Sequence, residues 1–270
     1  LVSAARPIVL LERSGQDAFC PSLCAESRYL GAFLPYTGLH KLLTEEAGPL
    51  VMTSANATDD PIFTKEEELA ELWERFPHAL DGAAWNTRRI VTPLDDSLMR
   101  ITAGHVQMLR RSRGFVPSPV YLHERECGPV FSAKKERKEV LAFGGDLKSA
   151  FCLAAGERAY LSQYLGDMEN FRVYQNFRRE LERMKTLFGV RPQKLVCDLH
   201  PGYQTTRMAE ETAARSRLSL LQVQHHHAHA ASVMAEHGLE RCIAVVFDGT
   251  GYGTDGHIWG GEFLVFEGSS

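Results

Sequence analysis

Short apolar runs bounded by turn residues alternate along the chain with longer stretches of helical spacing. Pro7-Ile-Val-Leu-Leu11 and Gly48-Pro-Leu-Val-Met-Thr53 are continuous apolar runs of strand length, fit for buried strands. Arg89-Ile-Val91 and Leu98-Met-Arg-Ile101 predict two more. Thr64 to Phe76 carries acids in its first turn and sets Leu69, Leu72, Trp73 and Phe76 at helical spacing. From Glu139 onward the pattern sharpens. Val140–Phe143, a Gly-Gly turn and Phe151–Leu153 read as strand, turn, strand, and Arg158–Gln163 as a third strand. Asn170–Phe188 is an amphipathic helix with Tyr174, Phe177, Leu181, Met184 and Phe188 on its apolar face. Lys194–Asp198 predicts a strand, and Thr205–Arg215 a helix. The class is α/β.

Between the two stretches, residues 122–138 hold His123-Glu-Arg-Glu-Cys-Gly-Pro129 and Lys134-Lys-Glu-Arg-Lys138. That polar segment reads as a linker. The predicted division is therefore 1–121, linker 122–138, and 139–270. Within the second stretch the strand–glycine turn–strand pattern recurs at Cys242–Trp259, where the glycine turn is Gly249-Thr-Gly251. Two such openings separated by α/β material suggest a duplicated fold. The actin-like, sugar-kinase type of ATP-binding domain is built this way.

Composition narrows the function classes. A length of 270 residues with 44% apolar and 24% charged residues is enough for two soluble domains. A membrane-spanning helix needs about 18 consecutive apolar residues, and no such run exists. The formal charge of -4 argues against a nucleic-acid-binding surface spread over the whole molecule. Leu1-Val-Ser-Ala-Ala-Arg-Pro7 lacks both an initiator Met and a signal-peptide pattern, and reads as the interior of a longer chain. Cysteines at 20, 24, 127, 152, 197 and 242 form no C-x-x-C pair, so reduced thiols in a cytoplasmic protein are expected rather than a zinc ribbon.

The strongest chemical signal is His225-His-His-Ala-His229, which runs into helix-forming residues. On a helix His225 and His229 lie one turn apart on one face, close enough to share a metal ion. The zinc motif H-E-x-x-H uses the same spacing, but its Glu is missing here, which disfavours metalloprotease chemistry. Asp248, ending an apolar strand, is a candidate third ligand, and the following Gly249, Thr250 and Gly251 are candidates for phosphate contact through the backbone. His226 is a candidate for substrate contact or catalysis, with simple packing as the bland alternative. Lys148, in Gly144-Gly-Asp-Leu-Lys148, could reach a phosphate or carbamoyl oxygen; an exposed hairpin lysine explains it equally well. Asp198 and His200 are placed to line the cleft, although an Asp before a helix is commonly a cap. In the first stretch Ser54 and Asn56 follow an apolar run, and Arg111 and Arg113 form a basic cluster suited to phosphates.

Taken together these segments resemble a known family. Leu34-Pro-Tyr-Thr-Gly-Leu-His40, Val51-Met-Thr-Ser-Ala-Asn56, Asp95-Asp-Ser97 and Arg111-Ser-Arg-Gly-Phe-Val-Pro117 are similar to the YrdC/Sua-like domain of HypF-type carbamoyltransferases. Gly144-Gly-Asp-Leu-Lys148, Leu161–Asn170, Asp198-Leu-His-Pro201, Gln224–His229 and Asp248-Gly-Thr-Gly251 look like the TsaD-like domain that follows it. The resemblance implies a YrdC-like twisted α/β domain and then part of an actin-like (ASKHA) TsaD-like domain. It also implies an enzyme of [NiFe]-hydrogenase maturation. Such an enzyme uses carbamoyl phosphate and ATP, with Mg2+, to make carbamoyl adenylate, and passes the carbamoyl group to the C-terminal cysteine of a HypE partner. Carried over by position, Ser54, Asn56, Arg111 and Arg113 would contact the nucleotide. His225, His229 and Asp248 would hold a divalent metal, zinc or iron. The stretch Trp85-Asn-Thr-Arg-Arg-Ile90 and Val91-Thr-Pro-Leu94 departs from the family's His-Asn-Arg-Pro-Ile. Two other readings stand beside this one. Both folds also occur in tRNA threonylcarbamoyladenosine synthesis, and YrdC-like folds can be RNA-binding modules, which the acidic balance weighs against.

Overall fold

The computed structural model describes residues 1–15, 20, 23, 27–78, 80–122 and 139–268. The chain forms two compact units, Leu1–Val116 and Pro117–Ser270. The expected linker lies outside the described residues apart from Leu122.

The first unit is built on a four-stranded sheet of order β2-β1-β3-β4. Its strands are β1 (Ile8–Glu12), β2 (Tyr29–Ala32), β3 (Leu98–Thr102) and β4 (His105–Arg110). The β1–β3 pair is parallel and the outer pairs are antiparallel. The parallel pair needs a long crossover, and the crossover holds helices α1 (Gly38–Ala47) and α2 (Glu66–Arg75). Thr37 caps α1 by accepting the His40 N–H, and Glu68 reaches back to the Lys65 and Thr64 N–H groups at the start of α2. Two expected strands are absent. Gly48–Thr53 is irregular because Gly48, at φ 74°, stops α1 and Pro49 has no N–H to give a ladder. Arg89–Val91 is also irregular, with Ile90 and Val91 exposed.

The second unit holds a six-stranded sheet of order β10-β9-β6-β7-β8-β5. Its members are β5 (Val120–Tyr121), β6 (Val140–Phe143), β7 (Phe151–Ala155), β8 (Arg158–Leu161), β9 (Lys194–Asp198) and β10 (Ser219–Val223). Strand β5, expected in the first domain, pairs with β8 here. Alternate residues of three strands (Leu141 and Phe143, Phe151 and Leu153, Leu195 and Cys197) face a common core. Against them pack α3 (Phe171–Phe188) and α4 (Gln204–Ser216). Phe177 of α3 is wholly buried between the Phe143 and Phe151 rings, at 6.2 and 5.2 Å. Burying one such side chain contributes about 1.5–3 kcal/mol. Asn170 caps α3 through the Arg172 and Val173 N–H groups, and Gly189 ends it in the left-handed conformation.

Helix α5 (His225–His237) packs on a two-stranded antiparallel ribbon, β11 (Arg241–Tyr252) and β12 (Ile258–Glu267). Ala230 and Met234 of the helix meet Cys242, Ala244, Val246, Leu264 and Phe266 of the ribbon. The alternate ribbon residues Ile243, Val245, Phe247, Phe263 and Val265 are exposed. The hairpin turn lies at Gly253–His257, beyond the expected Gly249-Thr-Gly251. Asp255 builds that turn by accepting from the His257 N–H and the Trp259 indole.

Candidate metal centre

Gln224 starts α5 and fixes how its histidines are aimed. Its side-chain oxygen accepts the His227 N–H at 2.9 Å, and its amide donates to His226 Nδ1 at 2.9 Å. From that start His225 and His229 fall one turn apart, with ring centroids 4.8 Å from each other. Asp248 arrives from β11. The ladder between β11 and β12 shifts register between the pairs Phe247–Gly261 and Gly251–Trp259. Four steps along β11 are matched by two along β12, so Asp248 lies in a bulge that frees it from the ladder.

The three side chains converge. Asp248 Oδ2 lies 2.8 Å from His225 Nε2 and 3.4 Å from His229 Nε2, and the two Nε2 atoms are 3.2 Å apart. Ligand atoms around a tetrahedral zinc with bonds of about 2.0–2.1 Å stand about 3.3 Å from one another. The observed triangle fits that size, and two imidazoles with one carboxylate suit zinc or iron. Among the described residues this is the group of three that could hold a metal. Exposure grades across it, from 23% for the His225 side chain to 56% for His229, so one side opens to solvent.

The electrostatics follow from the contacts. His225 Nδ1 is 2.7 Å from Asp198 Oδ2 at the end of β9. That hydrogen bond raises the His225 pKa above its ordinary value; burial opposes it and the Asp248 charge adds to it. For Asp248 burial pushes upward, but the Gly249 N–H and the His225 and His229 rings outweigh it and hold the carboxyl below its usual value. The first hairpin closes one flank: a Cβ on Gly145 would stand 3.8 Å from His225 Cε1 and 3.6 Å from the Tyr203 ring. Tyr203 in turn stacks on His200, with centroids 4.2 Å apart.

Other expected site residues take different places. His226, a catalytic candidate in the sequence, is fully buried and has both ring nitrogens engaged, by Gln224 and by the Gly260 carbonyl. Gly251 gives that ring room, since a Cβ there would lie 2.4 Å from His226 Cε1. Gly249 gives its N–H to Asp248, and Gly249 and Thr250 are exposed next to it in the chain. Lys148 is exposed, at φ 51°, with its N–H held by Asp167. Asp198 does not cap α4. That carboxylate is Asp146, in the first hairpin, which accepts the Gln204 and Thr205 N–H groups and the Thr205 hydroxyl. Sequence reasoning passed over Asp146, although its place directly after Gly144-Gly145 was a signal.

In the first unit the basic cluster turns inward. Arg113 donates to Asp96 at 2.5 Å and to the Ala5 and Arg6 carbonyls at 2.9 and 2.8 Å, and lies over the Tyr36 ring. Arg111 donates to the Phe115 carbonyl. Arg113, expected at the nucleotide, here clasps the unit through carbonyl, carboxylate and aromatic partners. Ser54 gives its hydroxyl to Asn56, whose amide is given to the Ala57 and Asp60 carbonyls, so these two residues shape their own turn.

Fold and site together define a Sua5/YrdC-type unit followed by a Kae1-like unit. Residues 1–112 match a Sua5/YciO/YrdC model described as "Telomere recombination". Residues 135–236 match "HypF Kae1-like domain", and residues 244–270 match "Carbamoyltransferase, Kae1-like Domain, second subdomain". The chain is 39% identical to carbamoyltransferase HypF of Synechocystis sp., over 98% of this chain and 33% of that protein. Its fold matches full-length HypF in a phosphate- and nucleotide-bound form, with TM-score 0.84 and 39% identity over 99% of this chain and 40% of that one. It also matches HypF of T. kodakarensis, with TM-score 0.87 and 36% identity over 98% of this chain and 33% of that one. The chain belongs to the HypF family of carbamoyltransferases. It spans about a third of the length of the curated relatives it matches.

Proposed function

We propose that this chain supplies the carbamate-activating and part of the carbamoyl-transferring machinery of an ATP-dependent carbamoyltransferase of [NiFe]-hydrogenase maturation. The observation that carries the reading is the triangle of His225, His229 and Asp248. Support comes from the relatives named carbamoyltransferase and from the related structure that holds phosphate and nucleotide.

His225, His229 and Asp248 would hold a divalent cation, zinc or iron. Bound there, it supplies Lewis-acid polarisation of a phosphate or carbonyl oxygen. The protein's own groups do the rest. The rigid helix turn sets the two imidazoles, and the bulge presents the carboxylate from the opposite side. With the Gly249 N–H given to Asp248, the exposed Thr250 and the Lys148 hairpin are the groups that would meet phosphate oxygens. In the first unit, carbamate derived from carbamoyl phosphate would attack the ATP α-phosphorus through oxygen and pyrophosphate would leave; the Ser54–Asn56 turn would contact the nucleotide, and Mg2+ would supply charge neutralisation. The carbamoyl carbon is then attacked by the thiolate of the C-terminal cysteine of a HypE-type partner, and AMP leaves. Excluding water protects a carbamoyl group that would otherwise hydrolyse. No helix among the described residues is long and apolar enough to cross a membrane, and the expected site of action is the cytoplasm.

The test is His229→Ala in the full-length protein. The variant should lose bound metal, measured by elemental analysis, and lose carbamoyl transfer to the acceptor while staying folded. Full metal content in that variant would remove the proposed centre.

A further inference from the structure

We infer that Asp198 is a positioning residue for the metal centre: it holds His225 in the tautomer that carries its proton on Nδ1 and turns the Nε2 lone pair toward Asp248 and His229. The inference rests on the metal-site reading above.

A neutral imidazole has one proton for two nitrogens, and the nitrogen that keeps it cannot bind a cation. His225 faces Asp248 and His229 with Nε2, so with a cation held among the three the proton belongs on Nδ1. Asp198 Oδ2 stands 2.7 Å from that Nδ1 as an acceptor-only group. The carboxylate is itself immobilised. Its side chain is 7% exposed, and its other oxygen accepts the His200 N–H at 2.8 Å. The topology explains why it is within reach. Asp198 is the last residue of β9 and pairs in register with Val223, the last residue of β10, two positions before His225. The parallel β9–β10 pair therefore delivers the carboxylate to the first turn of α5. A carboxylate that accepts from the far nitrogen of a ligating imidazole orients that ring, and its loss weakens metal binding by about 10–100-fold.

The competing role for Asp198 is to shape the turn at His200 and nothing more. The experiment uses full-length protein with 15N-labelled histidine, stripped of metal, and Zn2+ alone as probe. In the wild type loaded with Zn2+, His225 should show a protonated Nδ1 and a metal-bound Nε2; without metal, the carboxylates at both nitrogens favour the doubly protonated ring. Asp198→Ala should give mixed tautomers at His225 and Zn2+ affinity lowered about 10–100-fold in chelator competition, with cooperative thermal unfolding retained. Asp198→Asn, which keeps an acceptor oxygen, should lose less. If His225→Ala and His229→Ala bind Zn2+ as tightly as wild type, the metal site itself falls. If those two lose Zn2+ while Asp198→Ala keeps wild-type affinity and tautomer, the positioning role is overturned and the metal site stands. Should Asp198→Ala fail to fold, the Zn2+-loaded wild-type spectrum decides: a proton on His225 Nε2 overturns the inference.

Discussion

His226 donates from Nε2 to the Gly260 carbonyl at 2.6 Å and thereby ties the first turn of α5 to the start of β12. The ring is fully buried and lies between two of the proposed metal ligands in sequence. Its neighbours in the His run reach the metal triangle because this ring anchors the helix start against the ribbon.

That anchor makes Gly251 a steric requirement. A Cβ there would meet His226 Cε1 at 2.4 Å and Nδ1 at 2.5 Å. Gly251→Ala should destabilise the second unit by about 1–3 kcal/mol, as overpacking does. Chemical denaturation would show it, and an unchanged midpoint would mean the ring has room to move.

Arg113 closes the first unit through its contacts with Asp96, Ala5, Arg6 and Tyr36. Its side chain is 19% exposed, and a lysine cannot serve two carbonyls, a carboxylate and the Tyr36 face at once. Arg113→Lys should cost about 2 kcal/mol in denaturant titrations. Weakened nucleotide binding with unchanged stability would return this arginine to the ligand.

Asp146 joins the first hairpin to the start of α4, where it accepts three hydrogen bonds from Gln204 and Thr205. Asp146→Ala leaves two helix-end N–H groups without that carboxylate, and should cost about 2 kcal/mol. Hydrogen exchange at the Gln204 and Thr205 amides would rise selectively.

Cys197 is buried in the core, and burial, with Glu210 nearby, pushes its thiol up to about 11. Only the thiolate reacts quickly. At pH 8 the thiol stays protonated, so Cys197 should resist alkylation in the native protein while exposed Cys20 is modified. Reactivity at Cys197 should appear only as pH approaches the raised value or as the unit unfolds. Mass spectrometry of the labelled peptides reads both.

The sequence made some of this legible and hid the rest for physical reasons. Helix α3 was readable because its apolar face repeats over five turns between an Asn cap and a Gly stop. The His225–His229 pair was readable because its geometry is local to one turn. Gly48–Thr53 misled because an apolar run says nothing about whether a neighbouring strand exists to pair with it. The roles of His226, Asp146 and Arg113 were hidden because their partners are distant: Gly260, Thr205 and Ala5 lie 34, 59 and 108 positions away. Contacts of that kind follow from topology, not periodicity.

The bulge in β11 carries one more consequence. It offsets the paired strands by an even number of positions, so side chains beyond it return to the same faces they occupied before it. Removing a single residue from Asp248–Thr250 would swap inside for outside over the far end of the hairpin and carry the carboxylate off its histidines, whereas replacing Thr250 by another small residue would not. At this spot the number of residues is under tighter constraint than their kind.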